Sequence, residues 1–213
     1  MTERADRACR QAVFCGDTSD LLPALESLVG DEPGTDLARG MLRHSLALAG
    51  GEPDAEELAC FERAAEEYRR RGDRAGEGRA LFWQGCYHQV LGKDGETAVP
   101  LLERAATLSR DADDDLWLSY SLRHLAIARH QAGDLDGARD LLEQSTRLRR
   151  AVGFEEGVAA NLVGLAFVAV DRGDRAGAER IAREAIEVGT ASGASTMVTF
   201  AEQALNAAAQ LRT

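Results

Sequence analysis

The sequence predicts an all-α superhelical solenoid of about five antiparallel helical hairpins closed by a C-terminal capping helix. Three observations carry this. Glycines recur at Gly51, Gly92, Gly133 and Gly173, at spacings of 41, 41 and 40 residues. Small residues stand at offsets from the last three that agree to within one residue: Gly85, Ala98 and Ala105; Ala126, Ala138 and Ser145; Ala166, Ala178 and Ala185. Between these marks the apolar residues follow a helical period, and no segment alternates apolar with polar as a half-buried strand would. Internal self-similarity at such a period is the mark of a repeat architecture. Small residues at matched positions let helix backbones approach where they cross.

The elements follow in order. Leu101, Leu102, Ala105 and Leu108 form one helical stripe. Leu141, Leu142, Ser145 and Leu148 repeat it, as do Ile181, Ala182, Ala185 and Val188. Helices are expected over 3–15, 19–29, 35–50, 54–71, 75–91, 95–110, 115–132, 135–151, 155–171, 175–191 and 196–211. Breakers occupy the gaps, among them Gly30 to Gly34, Gly50 to Pro53 and Ala191 to Gly193. The expected organisation is a single solenoid over 1–213. It comprises an N-terminal helix pair (1–30), a degenerate repeat (35–73), clear repeats (75–113, 114–154 and 155–194) and a cap (195–213). Each hairpin has one face to bury and can bury it only against its neighbours.

Composition narrows function. The 213 residues carry a net charge of −11, which disfavours a domain-wide grip on nucleic acid or anionic lipid. The longest clean apolar run, Leu162 to Val170, is nine residues, against about 18 for a membrane span. The first fifteen residues are polar and charged, with no signal-peptide core. Cys9, Cys15, Cys60 and Cys86 lack CxxC spacing and read as reduced thiols, so a cytoplasmic location is expected. Lys93 is the single lysine among 25 basic residues, a bias that points to a GC-rich bacterial genome.

The repeating pattern resembles the tetratricopeptide repeat. One copy reads Leu81, Gly85, Gly92, Ala98, Leu102, Ala105; the next Leu122, Ala126, Gly133, Ala138, Leu142, Ser145; the third Leu162, Ala166, Gly173, Ala178, Ala182, Ala185. The match covers residues 75–192 and weakens over 35–73, where His44 and Glu57 hold two of the small sites. The period of 40–41 exceeds the family's 34 and is similar to the longer-helix variety in bacterial regulators and signalling ATPases. The resemblance implies a right-handed superhelix whose first helices (helix A of each pair) line a concave groove. It also implies protein–protein interaction as a scaffold or adaptor in a bacterial regulatory or biosynthetic setting.

The implied groove positions are Arg79, Phe82, Cys86 and Gln89; Tyr120, Arg123, Ile127 and His130; Ala160, Val163, Phe167 and Val170. Their i, i+3, i+7, i+10 spacing puts each set on one helical face. Seven of the twelve are apolar, so the stripe is expected to be covered. The candidates are the last helix, a partner peptide, a second copy of the chain, or an apolar small molecule whose acidic head meets Arg79, Arg123 or His130. Alternatively, these arginines pair with nearby carboxylates. Trp83 and Trp117 are candidates either for an interface or for packing between helices.

No catalytic constellation is expected, and no cofactor. Asp111 to Asp115 begins like a calcium loop, but its sixth position is Leu116 and its twelfth Leu122, so a helix N-terminus is expected instead of a metal site. Gly76-Glu77-Gly78 lacks the strand and third glycine of a nucleotide loop. A small-molecule pocket or an unconventional tailoring enzyme, using Tyr120, His130 and an arginine, is the alternative to a binding scaffold.

Overall fold

The computed structural model describes residues 3–52 and 54–211. Pro53, expected among the breakers, and the ends of the chain lie outside the described residues. Among the described residues there is no strand. The helices are α1 (Glu3–Arg10), extended by a π-helical turn at Gln11–Cys15, α2 (Leu21–Glu26), α3 (Pro33–Leu48) and α4 (Ala55–Arg71). There follow α5 (Arg74–Cys86), extended by a second π-helical turn at Tyr87–Leu91, α6 (Gly95–Asp111) and α7 (Asp115–Gln131). The chain closes with α8 (Leu135–Ala151), α9 (Glu155–Asp171), α10 (Arg175–Ser192) and α11 (Ser195–Gln210). Helices pack on their chain neighbours, the pattern of a helical-repeat solenoid.

The helices begin and end for local reasons. Asp54, Asp73, Asp94, Asp134 and Asp174 each accept a backbone N–H of the first helical turn, at 2.8–3.0 Å. That satisfies donors the helix itself leaves orphaned, and it places negative charge at the positive end of the helix dipole. Lys93, Asp113, Gly133, Gly153, Gly173 and Gly193 all take positive φ, between 51° and 79°. They recur every 20 residues, once per helix. Gly92 lies in the turn before α6, as its place in the repeat implies, and takes a φ of −73°. The extra residue in that turn hands the left-handed position to Lys93, which directly precedes the capping Asp94.

The chain forms two compact units, Met1–Ser121 and Leu122–Thr213. In the first, Leu21, Leu37, Met41, Leu42 and Phe61 are buried with small residues of α1, α4 and α5 around them. Burying each of these larger side chains contributes about 1.5–3 kcal/mol. The α5–α6 crossing is close: a methyl group on Gly85 would sit 2.7 Å from Leu102 Cγ. In the second unit, α9, α10 and α11 meet through tiers of alanine. Ala166, Ala182 and Ala204 form one tier, and Ala169, Ala178 and Ala208 another. The last helix packs on both α9 and α10. Its Met197, Ala201, Ala204 and Ala208 are buried, while Phe200 is exposed.

Candidate functional site

The positions expected to line a groove divide by unit. In the first unit Phe82, Cys86 and Gln89 are buried, Phe82 at 2% exposure. Phe82 is not a groove side chain but the centre of an aromatic block. Its ring lies 5.4 Å from both Trp83 and Trp117 and 5.7 Å from Tyr120, and Trp83 stacks on Phe61 at 5.9 Å. Such edge-on and offset pairs add to the stabilisation that area burial gives. Trp117 is buried, Trp83 and Tyr120 half-buried. The two tryptophans thus pack between helices, the second of the two roles open to them.

Arg79 closes one side of that block. Its guanidinium donates to Asp114 Oδ2 at 2.6 and 3.2 Å and lies 5.8 Å from the Trp117 ring centroid. Asp114 in turn accepts Trp117 N–H at 3.3 Å, so one carboxylate caps α7 and holds the arginine. The acidic run from Asp111 therefore serves a helix start, and among the described residues no cluster of His, Cys, Asp or Glu is arranged to hold a metal ion.

In the second unit Ala160 and Val163 are buried, and Arg123, Ile127, His130, Phe167 and Val170 are half-buried. The polar members are spent on α9. Arg123 donates to Ala160 O at 2.7 Å and reaches Asn161 Oδ1 at 3.4 Å. His130 Nε2 lies 2.6 Å from Asp171 Oδ2. Val163 packs with Val158, Leu162, Ala185 and Ala201, and Phe167 leans on the α9–α10–α11 tier. What remains accessible is an apolar strip of Ile127, Phe167 and Val170, flanked by two basic side chains that are already fixed.

Sequence reasoning missed the group that does the fixing. Asn161, wholly buried, donates to Ser145 Oγ at 2.8 Å and accepts from Arg149 at 3.1 Å; Arg149 also donates to Gly157 O at 2.6 Å. Ser145 stands where the other clear repeats have Ala105 and Ala185, and that one hydroxyl was the signal. Elsewhere the buried thiols are unsuited to nucleophilic work. Burial pushes Cys9 up to about 12 and Cys60 up to about 11. Cys86 is raised well above its ordinary value, first by burial and then by the charge of Glu57. A reactive thiol needs the opposite shift.

Paired helices joined through small residues, closed by left-handed residues and in six cases started by an aspartate cap, define a helical-repeat protein. The tetratricopeptide-repeat model matches residues 85–151, the stretch from Gly85 in α5 to the end of α8. Comparison with curated proteins gives no match. No helix among the described residues is long and apolar enough to cross a membrane.

Proposed function

We propose that the protein is a non-catalytic interaction scaffold or adaptor that takes a segment of a partner protein on the helix-A face of its repeats. The setting that fits the composition is a bacterial cytoplasm, in a regulatory or biosynthetic assembly. Tetratricopeptide repeats generally mediate protein–protein interaction, which supports the class. One observation supports the place: Ile127, Phe167 and Val170 stay half-exposed beside Arg123 and His130, whose polar groups are already held by α9. Preorganised polar groups beside an apolar strip suit a helix or an extended peptide, because little side-chain entropy is lost on docking.

The small-molecule and enzymatic readings have less support. Arg79 and His130 have carboxylate partners and Arg123 a carbonyl, so no free cation is set aside for an acidic head group at these positions. The test is a pull-down from the native host with Ile127→Asp and Phe167→Asp, read alongside circular dichroism. Loss of the partner with helicity unchanged is the expected result. Retention of the partner by both variants overturns the assignment of this face. Phe82→Asp serves as the contrast, since a charge at 2% exposure unfolds the first unit instead of blanking a surface.

A further inference from the structure

A furrow of about 490 Å³ runs between α8 and α10 in the second unit, away from the residues of the α7–α9 strip. Its floor is the back of α9, where Leu165 is half-buried, with Ile181 of α10 beside it. Its rim carries five arginines against three carboxylates, in a chain whose net charge is −11. Three of those arginines are neutralised locally. Arg150 bridges to Glu184 at 2.8 Å, Arg172 to Asp136 at 2.5 Å, and Arg139 to Asp140 at 3.1 Å. The remaining two stand one on each wall, Arg147 on α8 and Arg180 on α10. Both are exposed, and neither makes an ion pair among the described residues.

Each wall of the furrow thus carries one exposed, unpaired guanidinium beside its apolar floor, with Glu143 and Asp174 also on the rim. We propose that the α8–α10 furrow docks an acidic amphipathic segment of a partner protein. Apolar side chains of the segment sit on Leu165 and Ile181, and its carboxylates meet Arg147 and Arg180. Arginine suits this task because its planar fork holds a carboxylate through two N–H groups and is weakly hydrated. The volume accommodates a few side chains, within the range of specific binding clefts. Nucleic acid fits poorly, because Glu143, Asp174 and Glu184 share the rim and the chain as a whole repels phosphates.

The test is selection of a random peptide library displayed on phage against the whole protein, with counter-selection on the Arg147→Glu/Arg180→Glu double variant. Enriched peptides are expected to combine carboxylates with apolar anchors. Synthetic copies, titrated by fluorescence anisotropy, should lose at least about tenfold in affinity for the double variant and weaken as salt rises. They should bind Ile127→Asp unchanged, which separates this furrow from the α7–α9 strip. Both substitutions lie at exposed, unpaired positions, so helicity should be retained. Enriched peptides that are neutral or basic, or that bind the double variant equally well, overturn the proposal. So does a wild-type dimer in sedimentation that the double variant abolishes, since a second copy would then be the occupant.

Discussion

His44 Nδ1 lies 2.6 Å from Glu57 Oε1, and both side chains are buried, at 3% and 0% exposure. Forty-one residues on, the same two places hold Gly85 and Ala98, and later repeats hold Ala126 with Ala138 and Ala166 with Ala178. A close contact of two small residues has thus been replaced, in the weakest repeat, by a polar pair that joins α3 to α4. His44 also meets the edge of Trp83, with ring centroids 5.4 Å apart, which links the pair to the aromatic block. Glu57 Oε2 is buried without a hydrogen-bond partner, so the carboxyl group depends on His44. His44→Ala strands a carboxylate that water cannot reach and should cost about 3–5 kcal/mol. The double variant His44→Ala/Glu57→Ala restores small residues at both places and should cost less than His44→Ala alone, despite the cavity. Urea unfolding of the two variants measures the difference. A double variant less stable than the single would show that the pair matters by its volume and not by its charge.

Lys93 carries a second local departure, since it holds a φ of 51° that the equivalent turns give to glycine. A left-handed conformation costs a residue with a Cβ roughly 1–2 kcal/mol, and glycine returns part of that through its larger unfolded-state entropy. Lys93→Gly should therefore stabilise the protein by about 0.5–1 kcal/mol, read as a rise in the urea midpoint with an unchanged slope. Gly133→Ala, at φ 79°, should lose stability by a similar or larger amount. If Lys93→Gly is destabilising, the side chain is contributing a contact that outweighs the strain.

These two residues also show what was legible in the sequence. The helices, their order and the small crossings follow from periodicity, because an apolar stripe and a run of alanines have few other uses. Glycine is the sequence mark of such turns, and Gly92 carries it while Lys93 does not. Only the backbone reveals which residue of a three-residue turn goes left-handed. The site was less legible. Phe82 and Cys86 share a helical face with Arg79, yet a helix face has neighbours on both sides. The bulk of Trp83, Trp117 and Tyr120 turns that part of the stripe into core. The partners of Arg79, Arg123 and His130 lie 35–41 positions away in the chain, so no local pattern announces them.

The cysteines give a prediction with a pH sign. Thiols in the unfolded chain ionise near 9.0, whereas burial holds Cys9 up to about 12 and Cys60 up to about 11. As pH rises past 9 the unfolded state releases these protons first. Stability from this source is therefore complete below about pH 9 and declines as pH climbs towards 11 and 12. At neutral pH an aromatic disulfide reagent should label Cys15, which is exposed, and leave Cys9, Cys60 and Cys86 to react only on opening. Fast labelling of more than one thiol in the native protein would contradict the burial. Replacing Cys9 and Cys60 by alanine should flatten the alkaline decline without moving the acid limb.

Asn161 ties α7, α8 and α9 together through three side chains, and its removal should be felt at each. Its amide donates to Ser145 Oγ and its carbonyl accepts from Arg149 and, at 3.4 Å, from Arg123. Asn161→Leu keeps the volume but takes an acceptor from a buried guanidinium, and buried polar groups left without partners cost about 1–3 kcal/mol, more when charged. A loss of about 2–4 kcal/mol is expected, against about 1 kcal/mol for Ser145→Ala, where the Asn161 amide loses a neutral partner. The two effects should not add, because the variants remove the same hydrogen bond, and a double-mutant cycle by urea unfolding reads the coupling. The consequence reaches the apolar strip. With Asn161 gone, Arg123 keeps Ala160 O but loses the Asn161 acceptor, so partner capture through Ile127 and Phe167 should weaken in Asn161→Leu at temperatures where the fold is intact. Capture unchanged from the wild type would mean that Arg123 is oriented without Asn161 and that the network serves stability only.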